Sequence, residues 1–284
     1  MNKLLLSLLV LLLAAGCTER ITVNLDNSYI RLVVDGGITT DSLQRSVTLS
    51  KSASYFYNQP PPMVSQAMVI LTDGSFLDTL KEELPANPGK YTLDSNFRGV
   101  IGKTYNLIVK LPEAIGDFTE YASSCKIMKV PRLDSIHAEF NPNMGKNGFW
   151  LVKIYAMEPG DEMNFYMLKY YRNSVLISDS IQKWTTSDDK YFNGSYINGL
   201  TAFYINNNHP WETLHPGDTL MVQMSGITNE YYNFIQQVQQ AGYQIPFFSG
   251  PPANVEGNIS NRGVGFFTAY SNSFAKLVIP KHNP

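Results

Sequence analysis

Short runs of alternating apolar and polar residues, cut apart by Gly, Pro, Asn and Asp, dominate the chain from residue 29 onward. Successive side chains of a strand point to opposite faces, so a period of two buries one face and leaves the other wet. YIRLVVDGG, RSVTLS, AMVILTDG, SFLDTL, GKYTL and KTYNLIVKL carry the pattern in the first half. SIHAEF, FWLVKIYAM, MNFYMLKYYRN, SVLISDSI and DTLMVQMSG carry it in the second. Such segments recur at intervals of roughly a dozen residues with no helical period between them, which argues against βαβ units and for packed antiparallel sheets. Asp73-Gly74, inside AMVILTDGSFLDTL, predicts a hairpin turn.

Pro131 interrupts the pattern in KVPRLDSI, residues 129–136, and sets a domain boundary there. The chain therefore reads as all-β: an N-terminal β-sandwich over 29–130 and a C-terminal β-domain over 131–284. Both look like the immunoglobulin or prealbumin kind of sandwich, a likeness that implies no function. One short amphipathic helix is predicted near the C-terminus, at about 229–241. In ITNEYYNFIQQVQQAGYQ, Tyr231, Phe234, Ile235 and Val238 fall on one face. Thr228 is placed to cap it, Glu230 sits in the positive first turn, and Gly242 can end it. A lone helix after a strand is expected to cover the open end of a sandwich.

The first residues predict an address. Lys3 precedes the apolar run Leu4 to Leu13, which breaks at Ala14-Ala15-Gly16 and ends on Cys17. That run is shorter than the roughly 20 residues a spanning helix needs. It resembles a bacterial lipobox, with Ala14 where leucine is commoner; an ordinary signal peptide with an incidental cysteine is the alternative. Residues 1–16 then form a lipoprotein signal peptide, Cys17 the lipidation site, and 17–28 a tether. Two or three acyl chains, at about 0.8 kcal/mol per buried methylene, hold a protein stably on a membrane. Thr18 rather than Asp follows the cysteine, which by resemblance to Gram-negative sorting favours the outer membrane. Its periplasmic and cell-surface faces both stay open.

A net charge of −2 without any basic run gives no support to nucleic-acid binding. Of two cysteines, Cys17 is consumed by lipid, so Cys125 has no intrachain partner. Its setting, SSCKIMKV, predicts a buried, inert thiol in a strand. Among four histidines, only His209 and His215 cluster, in NNNHPWETLHPGD, and their spacing matches no zinc signature. That segment reads as a loop closing a sandwich end, and no metal or cofactor is implied. Asp161-Glu162 and Asp188-Asp189 lie in turn-like, solvated surroundings, and nothing selects one carboxylate pair for glycoside hydrolysis. Neither a G-x-S-x-G elbow nor an H-E-x-x-H helix occurs. Gly263 and Gly265 in GVGFFTAYS lack the strand–loop–helix context of a nucleotide loop and suit close backbone approach within a packed strand.

The C-terminal segments GDTLMVQMSGITNEYYNFIQQV and FFSGPPANVEGNISNRGVGFFTAYS resemble a family of Bacteroidota outer-membrane lipoproteins, the domain of unknown function 4249 family. RLVVDGGITTD, VTLSKSASYFYNQPPPMVSQAMVILTDG and PGKYTLDSNFRGVIGKTYNL agree with it. The resemblance implies no reaction and no functional residues. It implies a setting, beside TonB-dependent outer-membrane receptors.

Two aromatic loops are candidate ligand or partner sites; the alternative is that their alternating aromatics only cap the core. Tyr55, Phe56 and Tyr57 precede three prolines, and Phe247 and Phe248 precede Gly-Pro-Pro; stiff backbone lowers the entropy lost on docking. Trp211 in the histidine-bearing loop is a third candidate. Asp-Ser/Thr-aliphatic triplets place Ser42, Thr79, Ser135, Ser180 and Thr219 in a pattern that resembles a Bacteroidota O-glycosylation acceptor. Ordinary turn-to-strand grammar produces the same triplets. The leading expectation is a lipid-anchored, non-catalytic outer-membrane accessory or binding protein that works with a TonB-dependent receptor or transporter. The alternative is a surface-anchored hydrolase acting on glycan or peptide.

Overall fold

The computed structural model describes residues 29–41, 43–52, 59–242 and 255–280. In the N-terminal half, one sheet holds β1 (Leu32–Thr39), β2 (Arg45–Lys51), β6 (Asn87–Thr92) and β5 (Lys81–Glu83). The sheet facing it has the order β4 (Leu77–Thr79), β3 (Met68–Thr72), β7 (Thr104–Ile115), β8 (Phe118–Lys126). Alternate residues of the two sheets meet in one core, with Leu32, Val34, Leu49, Val69, Leu71, Leu107 and Val109 fully buried. The predicted β3–β4 hairpin is present. Asp73 shapes its turn by accepting the Ser75 and Phe76 N–H groups at 3.0 and 2.7 Å.

The C-terminal half repeats the plan. A three-stranded sheet, β14 (Tyr196–Asn206), β10 (Phe149–Met157) and β9 (Leu133–Asn141), faces β11 (Phe165–Arg172) and β15 (Thr219–Ile227). Two short strands, β12 (Val175–Leu176) and β13 (Thr185–Asp188), pair with β11. Trp150, Val152, Ile154, Tyr166, Leu168, Leu220 and Val222 fill the space between the layers. Two sandwiches, as the sequence pattern predicts, make up the described fold.

One strand belongs to both. β16 (Val264–Val278) is 15 residues long, about 50 Å of extended chain. Its first half runs parallel to β1, from Val33↔Val264 to Thr39↔Tyr270. Its second half runs antiparallel to β15, from Ser271↔Gly226 to Val278↔Thr219. The result is a nine-stranded sheet that crosses from one sandwich into the other. Phe267, Ala269 and the preceding Ile259 lie in the N-terminal core, whereas Ala275 and Leu277 pack on the C-terminal one. A boundary at residue 131 thus describes the strand pattern, but the structure pairs residues 264–270 with β1 and gives Ile259, Phe267 and Ala269 to the first core. Gly265 shows what the parallel pairing requires: its φ is +92°, and a Cβ there would stand 2.1 Å from the Val34 carbonyl oxygen. Close backbone approach is the role that the GVG triplet predicts.

The segment joining the sandwiches is pinned to the same strand. Ser271 Oγ donates to the Met128 carbonyl at 2.6 Å, and the Leu133 N–H donates to Ser273 Oγ at 2.8 Å. Pro131 is buried along this path.

Helix α1 (Asn229–Gly242) departs from its expected place. It lies on the outer face of the long sheet, not over a sandwich end. Tyr231 and Ile235 pack with Met167, Ile227, Phe266 and Tyr270 in a third buried cluster. The outer faces of β11 and β16 present Phe165, Met167, Phe266 and Tyr270 here, and the helix covers them. The predicted cap is present: Thr228 Oγ1 accepts the Tyr231 N–H at 3.3 Å. Among the described residues no helix is long and apolar enough to cross a membrane.

Cys125 is buried in β8 and accepts the Ala269 N–H at its sulfur, 3.2 Å away. Burial pushes the thiol up to about 11, against a weaker lowering by that hydrogen bond. A neutral, enclosed thiol is a poor nucleophile. We expect alkylation of Cys125 by iodoacetamide at pH 8 to be at least 100-fold slower in the folded protein than in denaturant; equal rates would refute its enclosure.

Candidate functional site

Residues of β11 alternate between the C-terminal core and the outer face of the long sheet. Tyr166, Leu168 and Tyr170 point inward. Phe165, Met167, Lys169 and Tyr171 therefore point outward, leaving one lysine in an apolar row. On β1, Leu32 and Val34 point inward, and Asp35 takes the outer face. β16 and β15 lie between these two strands, so Asp35 and Lys169 look into the same space from opposite sandwiches.

That space is a cleft of about 570 Å³. Its floor is the long sheet, with Gln223, Phe266, Thr268 and Tyr270 among the contributors. One wall is α1, through Tyr231, Phe234 and Val238; the other is the strap 176–184 and the β1–β2 loop. The strap contains a short 3-10 turn, Ile181–Lys183, and is held on the helix by glutamines. Gln239 Nε2 donates to the carbonyls of Ile181 and Trp184, both at 2.8 Å, and Gln236 Nε2 donates to Thr186 Oγ1 at 2.6 Å. This explains a helix so rich in Gln: its polar edge positions the strap. The volume lies within the roughly 300–1,000 Å³ of small-molecule sites.

Lys169 Nζ stands 3.8 Å from the centroid of the Trp184 ring, a cation–π arrangement. Burial lowers this amine to about 8, and the Asp35 charge opposes the fall. Among the described residues Lys169 makes no ion pair within 4.0 Å. Asp35 retains solvent-accessible surface, yet the surrounding walls raise its carboxyl, while Lys169 pulls it back. Accessibility is the property that matters for a ligand reaching it. A buried-leaning amine and a carboxylate thus face each other across the cleft without touching.

Beside them a polar chain crosses the seam between the sandwiches. Tyr171 OH donates to Gln223 Oε1 at 2.7 Å, and Gln223 Nε2 donates to Asn272 Oδ1 at 2.9 Å. Asn272 Nδ2 donates to Asp41 Oδ2 at 2.8 Å. Tyr270 OH donates to Gln44 Oε1 at 2.7 Å. These polar groups hold one another, which fixes the cleft's floor. Lys169 Nζ has no ion-pair partner among the described residues, and the buried Thr268 Oγ1 of the floor has no hydrogen-bond partner there.

Most of the sequence-derived candidates lie elsewhere. Cys17, Ser42, Tyr55, Phe56, Tyr57, Phe247 and Phe248 fall outside the described residues. Trp211 is 63 % exposed, meets the His209 ring at a tilt with centroids 5.5 Å apart, and does not line the cleft. Its neighbour Glu212 is ion-paired with Lys183 of the strap at 2.8 Å. His215 meets Asp218 at 3.5 Å. Among the described residues no group of three or more His, Cys, Asp or Glu side chains converges on one point. Thr79, Ser135 and Ser180 are exposed and Thr219 is half-buried, while Leu80, Ile136 and Leu220 after three of them are buried. Asp35, Lys169 and Trp184, which build the cleft, are not among the sequence-derived candidates. The signal for Lys169 was present: a single cation in the outward row of MNFYMLKYYRN.

Two sandwiches fused through one strand, with an amphiphilic cleft over the fusion, define an all-β protein with the anatomy of a binding site. The chain belongs to the family described as Domain of unknown function (DUF4249), whose model matches residues 18–274. That description names no reaction. No curated protein matches the chain.

Proposed function

We propose that this protein is a lipid-anchored accessory protein of the bacterial outer membrane that binds a ligand in its cleft and works beside a TonB-dependent receptor, without catalysing a reaction. The observation that carries this reading is the 570 Å³ cleft on the outer face of the shared sheet. It is large enough for a small molecule, walled by aromatics and furnished with the Lys169 amine, the Asp35 carboxylate and, at its strap, the ion-paired Asp179. The anchor rests on Cys17, the first residue left once the leader, residues 1–16, is removed. Confinement to a membrane surface raises the effective concentration of two partners, so modest contacts suffice for handover.

Affinity capture from gently solubilised membranes is expected to recover an outer-membrane barrel with the lipoprotein. Cys17→Ser is expected to release more than nine-tenths of the protein into the soluble fraction and to abolish acyl labelling. Sedimentation of the mature serine variant, freed of residues 1–16, together with no acyl label on the native protein would overturn the anchor, and recovery of the lipoprotein alone would overturn the receptor association.

A further inference from the structure

The cleft presents two opposite formal charges that do not satisfy one another. Lys169 Nζ has an aromatic ring beneath it and no carboxylate within 4.0 Å among the described residues. Asp35 faces it from the other side of the seam. A purely anionic ligand meets repulsion from Asp35, and a purely cationic one meets Lys169. A body carrying a carboxylate together with a hydrogen-bond donor satisfies both. Tyr171, Phe234, Phe266 and Tyr270 supply apolar surface for a ring, and Gln44 lines the cleft beside it.

Resting on the reading of this cleft as the protein's binding site, we propose that its ligand is a small carboxylate that also bears a donor group, the carboxylate docking on Lys169 Nζ and the donor on Asp35. Two sources share that chemistry: a sugar acid, whose hydroxyls donate, and an amino acid, whose ammonium donates. A carboxylate brought against Lys169 stabilises its protonated form, so binding near pH 8 draws a proton from solution. The other ionisable groups lining the cleft do not mimic this effect. Asp179 is ion-paired with Lys183 at 3.1 Å, and burial raises Tyr171, Tyr231 and Tyr270 further above the usual phenol range.

Titration calorimetry on the purified protein tests the assignment with two matched pairs: D-glucuronate against D-glucose, and L-phenylalanine against phenethylamine. At pH 7 the carboxylate member of at least one pair is expected to bind about tenfold or more tightly than its control. The pair that discriminates identifies the source. At pH 8, heats measured in two buffers of different ionisation enthalpy are expected to reveal uptake of a fraction of a proton. Lys169→Gln is expected to abolish both the preference and the uptake. Lys169→Arg keeps the charge and is expected to retain the preference without proton uptake, which separates a lost contact from a damaged fold. No discrimination in either pair, absence of binding by all four probes, or a preference that survives Lys169→Gln would overturn the proposal. A failed capture of the barrel beside intact carboxylate binding would remove the receptor association and leave this site standing.

Discussion

Residues 29–130 expressed alone are expected to be largely unfolded. The strand pattern of this fragment is complete enough to suggest an independent sandwich, but the structure withholds one of its strands. Removing β16 strips β1 of its parallel ladder from Val33 to Thr39. It also removes Phe267, Ala269 and Ile259 from the core, and Phe267 is 0 % exposed. Truncating a buried Phe to Ala costs about 3–5 kcal/mol. Whole domains hold only about 5–15 kcal/mol, so losing Phe267 with its neighbours and a strand edge consumes most of the margin. The fragment should show weak near-ultraviolet dichroism and rapid trypsin cleavage. Adding a peptide spanning 255–280 should restore protection, because it carries the strand and the Asn258 brace. Asn258 holds Phe267 through both its amide groups, at 2.8 and 2.9 Å. Cooperative melting of the lone fragment within a few degrees of the full protein would show that β16 is dispensable to the first core.

The same strand marks where the sequence stops being informative. Local patterns gave the β3–β4 hairpin, because Asp73 and Gly74 carry turn chemistry in adjacent residues. They gave α1 and its Thr228 cap for the same reason. β14 was missed because Asn198-Gly199 inside YINGLTAFYIN reads as a turn. In the structure the strand runs through it, with Gly199 at φ +83° and register shifts where β10 passes opposite. A bulge and a hairpin use the same residues, and only the partner strand distinguishes them. β16 was legible as far as Ser271, where SNS breaks the apolar alternation. The strand continues because those polar side chains bond to other elements: Ser271 and Ser273 to the joining segment, and Asn272 to Gln223 and Asp41. Parallel pairing of β1 with β16 joins opposite ends of the chain, and no turn specifies it. The helix's place and the cleft both follow from that pairing, so neither could be read locally.

Glu158→Gln is expected to stabilise the protein above neutral pH. Glu158 follows β10 and is 1 % exposed, with Oε1 accepting the Tyr166 hydroxyl at 2.5 Å. Its Oε2 is buried with no partner, as is Oδ1 of Asp189. Asp189 is fully buried, not solvated as its turn-like sequence suggests, because its Oδ2 accepts the Asn164 N–H inside the fold. Burial raises the Glu158 carboxyl above its ordinary 4.5; the Tyr166 hydrogen bond opposes this, and the Asp189 charge adds to it. An acid whose folded value is raised binds its proton more tightly in the native state, so stability falls as pH rises. Below 4.5 the carboxyl is protonated in both states and costs nothing differential. Between 4.5 and the raised folded value the unfolded chain ionises first, and above that value the loss is complete. Glutamine keeps an acceptor for Tyr166 and carries no charge for Asp189 to repel. Denaturant melts should therefore show the variant matching wild type near pH 4 and exceeding it at pH 8 by about 1–3 kcal/mol, the usual cost of an unmatched buried polar group. Equal stability at pH 8, or a variant weaker at both pH values, would mean that the ionised carboxylate is matched in the native protein.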